Sequence, residues 1–287
     1  MLARLTRWLD IRPGEGRAVI YTSLYIAIAV ASFLLAKPIR NGLFLQEFGP
    51  YKLVYAYVGV RLLLARFVRV YEAIARRVGQ RLVITGSLAF LALNVLGFWW
   101  GFRTLQAGWL AAAFYVWVNC YGVIAPVQAW SFANAAFDTR QARRLFGVVG
   151  AGASFGAVVG GLLARVQVGP LGTVNLLLVL AALIASAAVL VNFAWGVRQR
   201  QVRVAKRRQT AVGGTLALIA VVTQWTSFQF NIVVAERFSG DADAITRFLG
   251  AFNLLMGLAS FATQLVVTGP LLRSFGLSVT LLLLPLA

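Results

Sequence analysis

The sequence has no histidine, one cysteine and eight carboxylates in 287 residues. Without histidine there is no imidazole to act as a general base, to bind zinc or to hold haem. The single cysteine, Cys120, lies inside an apolar run, which excludes a disulfide framework and a cysteine-based zinc site. Eight scattered carboxylates are a poor basis for metal-assisted hydrolysis, and no acid, base and nucleophile cluster together. The chain is therefore not expected to be an enzyme, and no metal or cofactor is expected.

Charge of either sign is scarce as well. Charged residues are 12% of the chain and hydrophobic residues 60%, with a mean hydropathy of +0.81. These values lie outside the soluble globular range and point to the membrane. A helix needs about 20 mainly apolar residues to cross the hydrocarbon core. Eight runs qualify as candidate spans: 18–35, 53–71, 82–100, 105–127, 145–163, 171–195, 215–234 and 248–268. A ninth begins near Leu277 and stops at Ala287. The runs are continuous, whereas barrel strands would alternate over roughly ten residues. The predicted fold class is all-α, a polytopic bundle of transmembrane helices.

A net charge of +19 raises the possibility of nucleic acid, but its distribution argues for topology instead. With the N-terminus in the cytoplasm, inside segments carry 17 basic residues and outside segments seven. That alternation follows the positive-inside rule and implies contact with membrane lipids, anionic headgroups included, not with nucleic acid. The expected location is the cell inner membrane. The opening segment, 1–17, has no long apolar core before a cleavage site and is not a signal peptide. Leu2, Leu5 and Leu9 can share a helical face opposite Arg4 and Arg7, as an interfacial helix would. A frayed polar terminus is the alternative.

The chain divides at its most basic stretch. Residues 18–196 hold six spans, 197–214 form a basic cytoplasmic linker ending in Gly-Gly, and 215–287 hold two spans and the start of a third. Six spans, a basic linker and further spans are the layout of a transporter built from two six-helix halves. On this reading the second half is incomplete, and the expected partners include the remaining helices or a downstream soluble domain.

Two motifs bear on the family. The loop ARRVGQR at Ala75–Arg81 is similar to the loop between the second and third helices of the major facilitator superfamily, and LRSFG at Leu272–Gly276 echoes it. The segment around Trp130, Phe132, Ala133 and Asn134, followed by Ala142-Arg143-Arg144, Phe146, Gly147 and Gly150–Ala153, resembles the ATP/ADP translocases of plastids and intracellular bacteria. Gly14-Glu15 and Arg40-Asn41 resemble the same family and its relatives in free-living bacteria. The resemblance implies a major-facilitator fold, exchange of a nucleotide such as ATP or ADP, and Arg40 as the basic residue that meets substrate phosphate. Asn119 falls near a position where nucleotide-exchanging members carry Glu, and Gln141 where they carry another acid.

Each candidate residue has a bland reading beside the functional one. Lys37 and Arg40 flank Pro38 at the predicted outer end of the first span, where two cations beside a helix break can bind an anion or snorkel to headgroups. Arg61 lies near the middle of its span, where insertion costs about 2.5–3.5 kcal/mol, so it needs a wet cavity, a partner or backbone carbonyls. Glu72 is too far along that helix to meet Arg61 and is placed to pair with Arg69. Asn119 and Asn134 supply neutral polar groups that orient a substrate or join helices. Arg76, Arg77, Arg143 and Arg144 form the expected cytoplasmic gate. Gly152, Gly156 and Gly160 recur every four residues and define a face for close helix packing.

The function these features favour is a major-facilitator-type membrane transporter that moves a small anionic solute by alternating access. Two alternatives stand beside it: a membrane anchor or sensor that keeps the fold without transport, and an inactive fragment.

Overall fold

A computed structural model describes residues 12, 15–105, 107–195 and 213–263. Most of the basic linker, the N-terminal segment with its leucines, the LRSFG loop and the ninth apolar run lie outside the described residues.

The regular structure among the described residues is entirely helical. Seven helices follow in order: α1 Gly16–Phe48, α2 Leu53–Arg77, α3 Gln80–Thr104, α4 Trp109–Ala136, α5 Thr139–Trp195, α6 Gly213–Arg237 and α7 Ala242–Thr263. Alanine, leucine and valine fill them, and helical bonding satisfies most backbone donors and acceptors within the segment, as a bilayer demands. The closest packing is between helices that are not consecutive: α1 with α5, α5 with α7 and α3 with α5. Among the described residues, five helical stretches are long and apolar enough to cross a membrane: 16–48, 80–104, 109–136, 147–195 and 242–263. The second helix is of similar length but carries Arg61, Arg66, Arg69, Arg76 and Arg77.

The surface is inverted relative to a soluble protein. Leu93 and Phe193 are 66% exposed and Phe90 is 63% exposed, while Thr22, Ser32, Gln128 and Thr246 are buried. Polar groups buried inside and large apolar groups outside are what a lipid environment selects. The interior of α1, α3, α4 and α5 is built on Tyr25, Phe114, Tyr121 and Phe132. A smaller cluster around Phe44, Leu53, Tyr115 and Ile245 joins α1, α2, α4, α6 and α7.

One expectation about the spans needs correction. The first span does not end before Pro38, because α1 runs unbroken from Gly16 through Phe48. Proline removes the N–H that would bond the carbonyl four residues back. Here that carbonyl, Leu34 O, accepts from Asn253 Nδ2 of α7 at 3.4 Å, so a neighbouring helix supplies the missing donor. The fifth and sixth spans follow one another as two helices, with a tight break between them. They are two arms of α5 meeting at Pro170 and Gly172, where Gly172 has φ 75° and ψ 160°. Only glycine adopts that backbone conformation without steric cost. The second arm restarts with a borrowed cap: Asp243 Oδ1 of α7 accepts from the Thr173 backbone N–H at 2.7 Å.

The first arm of α5 packs between α1 and α7. A Cβ placed on Gly152, Gly156 or Gly160 would fall under 3.0 Å from the carbonyl oxygens of Ser23, Ala27 and Ala31 respectively. Those α1 residues share the same four-residue period, so two backbones run in contact over two turns. The other side of the arm does the same with α7, where Gly161 meets Leu254 and Gly257 meets Val158.

Candidate functional site

Four helices converge on Arg40. Its guanidinium carbon lies 4.5 Å from the centre of the Tyr115 ring on α4, and its Nε donates to Asn41 Oδ1 at 3.0 Å. Asn41 Nδ2 in turn donates to Asn231 Oδ1 on α6 at 3.1 Å, and Asn231 Nδ2 donates to the Ser227 carbonyl at 2.8 Å. Tyr115 also packs against Phe44, at 4.8 Å between ring centres, and against Tyr57 of α2 at 6.3 Å. Tyr57 meets Phe228 of α6 at 6.4 Å. A planar, weakly hydrated guanidinium is suited to this half-buried place on an aromatic face.

Lys37 lies one turn before Arg40 on α1, with its Nζ 4.7 Å from the centre of the Phe33 ring. Both cations are half-buried within a continuous helix, not flanking a break. Among the described residues no carboxylate pairs with either one. Arg61 stands one turn beyond Tyr57 on α2 and is exposed. It lies on the same α2 face as Tyr57, and no described residue is its hydrogen-bond or ion-pair partner. Asn119 lies one turn beyond Tyr115, half-buried, and donates to the Tyr115 carbonyl at 2.7 Å.

Asn134 is not brought to this cluster. It is exposed near the end of α4, 19 residues from Tyr115, which corresponds to about 28 Å at 1.5 Å per residue. No single phosphate or carboxylate can touch both it and Arg40.

The expected gate residues separate into different environments. Arg144 Nη2 donates to both carboxylate oxygens of Glu15, each at 2.7 Å, joining the start of α5 to the start of α1. Glu15 also accepts from Gln141 Nε2 at 3.1 Å and from the Arg12 backbone N–H at 3.0 Å. Burial pushes the Glu15 carboxyl upward, but these hydrogen bonds and the Arg144 charge outweigh it and hold the group below its ordinary value of 4.5. Asp138 serves as the cap of α5, accepting from the Gln141 backbone at 2.7 Å while Gln141 Oε1 accepts from the Asp138 N–H at 3.1 Å. That reciprocal pair is a capping box. Glu72 pairs with Arg76 at 3.8 Å, both groups largely exposed. Arg77 is exposed, and the Arg143 side chain lies outside the described residues.

At the opposite end of the bundle, a cavity of about 370 Å³ lies beside the α5 break, bordered by Gln46, Arg103, Asn175 and Asp243. Several of its polar groups already serve structure. Asn175 Oδ1 accepts from Trp99 Nε1 and Arg103 Nη2, each at 3.1 Å.

Sequence reasoning missed Tyr57, Tyr115 and Asn231 as neighbours of the cations, and Asn41 as the link between them. It also did not connect Glu15 with Arg144. Asn41, directly after Arg40, was the one visible hint, since two consecutive polar residues inside an apolar helix call for partners. Comparison with protein-family models, with curated proteins and with solved structures found no match.

Proposed function

We propose that this chain is a transporter of the major facilitator type in a cell inner membrane, N-terminus in the cytoplasm, moving a small anionic solute by alternating access. The observation that carries the reading is the pair Lys37 and Arg40: two half-buried cations where four helices converge, with no carboxylate partner among the described residues. A cation kept inside a membrane bundle is costly and calls for a counter-charge. An anion entering from water meets that need, and it can leave again because no fixed carboxylate competes for the site.

Arg40, held by Tyr115 and Asn41, is the fixed contact. Lys37 is the second cation, and Arg61 approaches from α2. The Asn41–Asn231 hydrogen bond joins α1 to α6, the first helix after the basic linker, so closure around the anion is sensed across the two proposed halves. The resemblance to nucleotide translocases makes ATP and ADP the first solutes to try. The test is counterflow of labelled nucleotides and of a broad panel of anions in proteoliposomes bearing the full-length protein. Uptake that Arg40→Gln abolishes supports the reading. No uptake of any anion, or uptake indifferent to Arg40→Gln and Lys37→Gln together, rejects it in favour of a membrane anchor or sensor.

A further inference from the structure

A second, separate feature lies on the lipid-facing side. The helices α2 and α3 scarcely touch: α2 leans on α4, whereas α3 packs mainly on α5 and meets α4 only at its edge. Between them is a cleft of about 290 Å³, walled by Phe67 of α2, Phe90, Leu91 and Phe98 of α3, and Val116 and Trp117 of α4. Asn94 borders it, but its amide N–H is already given to the Phe90 carbonyl at 2.7 Å. The cleft is thus almost wholly apolar.

It does not stand alone. An apolar strip leads from it toward the α2–α3 turn: Val70 and Ile74 on α2 are 57% and 52% exposed, and Leu82 on α3 is 70% exposed. Gly86, one turn before Phe90, keeps the strip open, since a Cβ there would meet nothing within 4 Å. The strip ends at Arg76, Arg77 and Arg81, all exposed. Arg76 has only the loose contact with Glu72, and Arg81 uses Nε on Asn192 Oδ1 at 3.1 Å. From Phe67 to Arg77 is ten residues, about 15 Å of helix, which is half the roughly 30 Å hydrocarbon core.

We propose that this cleft seats one acyl chain of an anionic phospholipid whose phosphate lies against Arg76, Arg77 and Arg81. The dimensions favour it: a chain anchored at the headgroup level reaches mid-membrane where the cavity lies. The charge favours an anionic headgroup, since no described carboxylate other than Glu72 approaches the three arginines. Arginines that merely follow the positive-inside rule would attract anionic lipid without holding a particular chain. The cleft makes the difference, because it gives the lipid a shape to fill. The inference rests on the membrane reading of the fold and is independent of transport.

The experiment is native mass spectrometry of the full chain released from mixed micelles containing phosphatidylglycerol and phosphatidylcholine of identical acyl chains. One phosphatidylglycerol should be retained per chain in preference to phosphatidylcholine. That preference should fall about fivefold for each of the three arginines changed to glutamine. Gly86→Leu, which enters open space and leaves the bundle intact, should block the strip and abolish retention. Ala113→Phe, inside the cleft, should do the same. Equal retention of the two lipids overturns the proposal. So does a Gly86→Leu chain that folds normally and still retains phosphatidylglycerol, because the arginines would then be acting without a seat.

Discussion

One nitrogen of Arg144 bridges both oxygens of Glu15, tying together the first turns of two helices that begin 123 residues apart in sequence, α1 at Gly16 and α5 at Thr139. The Glu15 side chain is only 10% exposed and that of Arg144 15%, so water does little to replace the contact. Removing either partner should leave a poorly solvated charge. Glu15→Gln or Arg144→Gln should each cost about 2 kcal/mol, seen as a lower melting temperature in detergent. The exchange Glu15→Arg with Arg144→Glu should recover part of the loss. If each single variant melts like the parent, the pair contributes nothing.

The same contact sets a pH dependence. The folded state holds Glu15 below 4.5, so the unfolded chain takes up its proton more readily. The stabilisation is fully present above that value and is lost as the pH falls through the lowered folded value. Melting temperature in detergent should therefore drop more steeply on acidification below 4.5 in the parent than in Glu15→Gln. Parallel profiles would contradict the assignment.

The glycine face of α5 allows a contrast within one helix. Gly156→Ala puts a methyl group under 3.0 Å from the Ala27 carbonyl oxygen and should destabilise by about 1–3 kcal/mol, through forced separation of α1 and α5. Gly150→Ala, where a Cβ meets nothing within 4 Å, should be neutral or slightly stabilising, since alanine is the better helix former. Equal effects at both positions would mean that helix propensity, not contact, governs them.

At the α5 break, Asp243→Ala removes the acceptor for the Thr173 N–H and should cost about 1–2 kcal/mol. Asp243→Asn keeps an oxygen in place and should cost less. Gly172→Ala should cost roughly 1–2 kcal/mol through its positive φ alone. Thermal unfolding of the three variants under one condition tests the ranking.

Legibility in the sequence followed the range of the interaction. The four-residue spacing of Gly152, Gly156 and Gly160 marked one helix face because that period is local. It could not name Ser23, Ala27 and Ala31 as the opposing backbone. Pro38 read as a helix end because the rule for proline is local too, and the donor that lets the helix continue, Asn253, comes from 215 residues further along. Arg40 and Lys37 were visible as cations in an apolar run. Their surroundings of Tyr115, Tyr57 and Asn231 were not, since each comes from a different helix and none departs from ordinary composition. Asn134 shows the converse: its place in a recognisable segment gave it weight, but the fold sets it about 28 Å along α4 from Tyr115.

The stack of α1, the first arm of α5 and α7 meets largely through backbone atoms and small side chains. Glycine and alanine give up no rotamer freedom when they are buried. In a bilayer, where no hydrophobic force draws apolar helices together, that saving counts for more than it would in water. These three helices can dock without ordering long side chains, whereas α2 must first place its arginines and tyrosines. Docking of α1, α5 and α7 therefore costs less side-chain entropy than docking of α2.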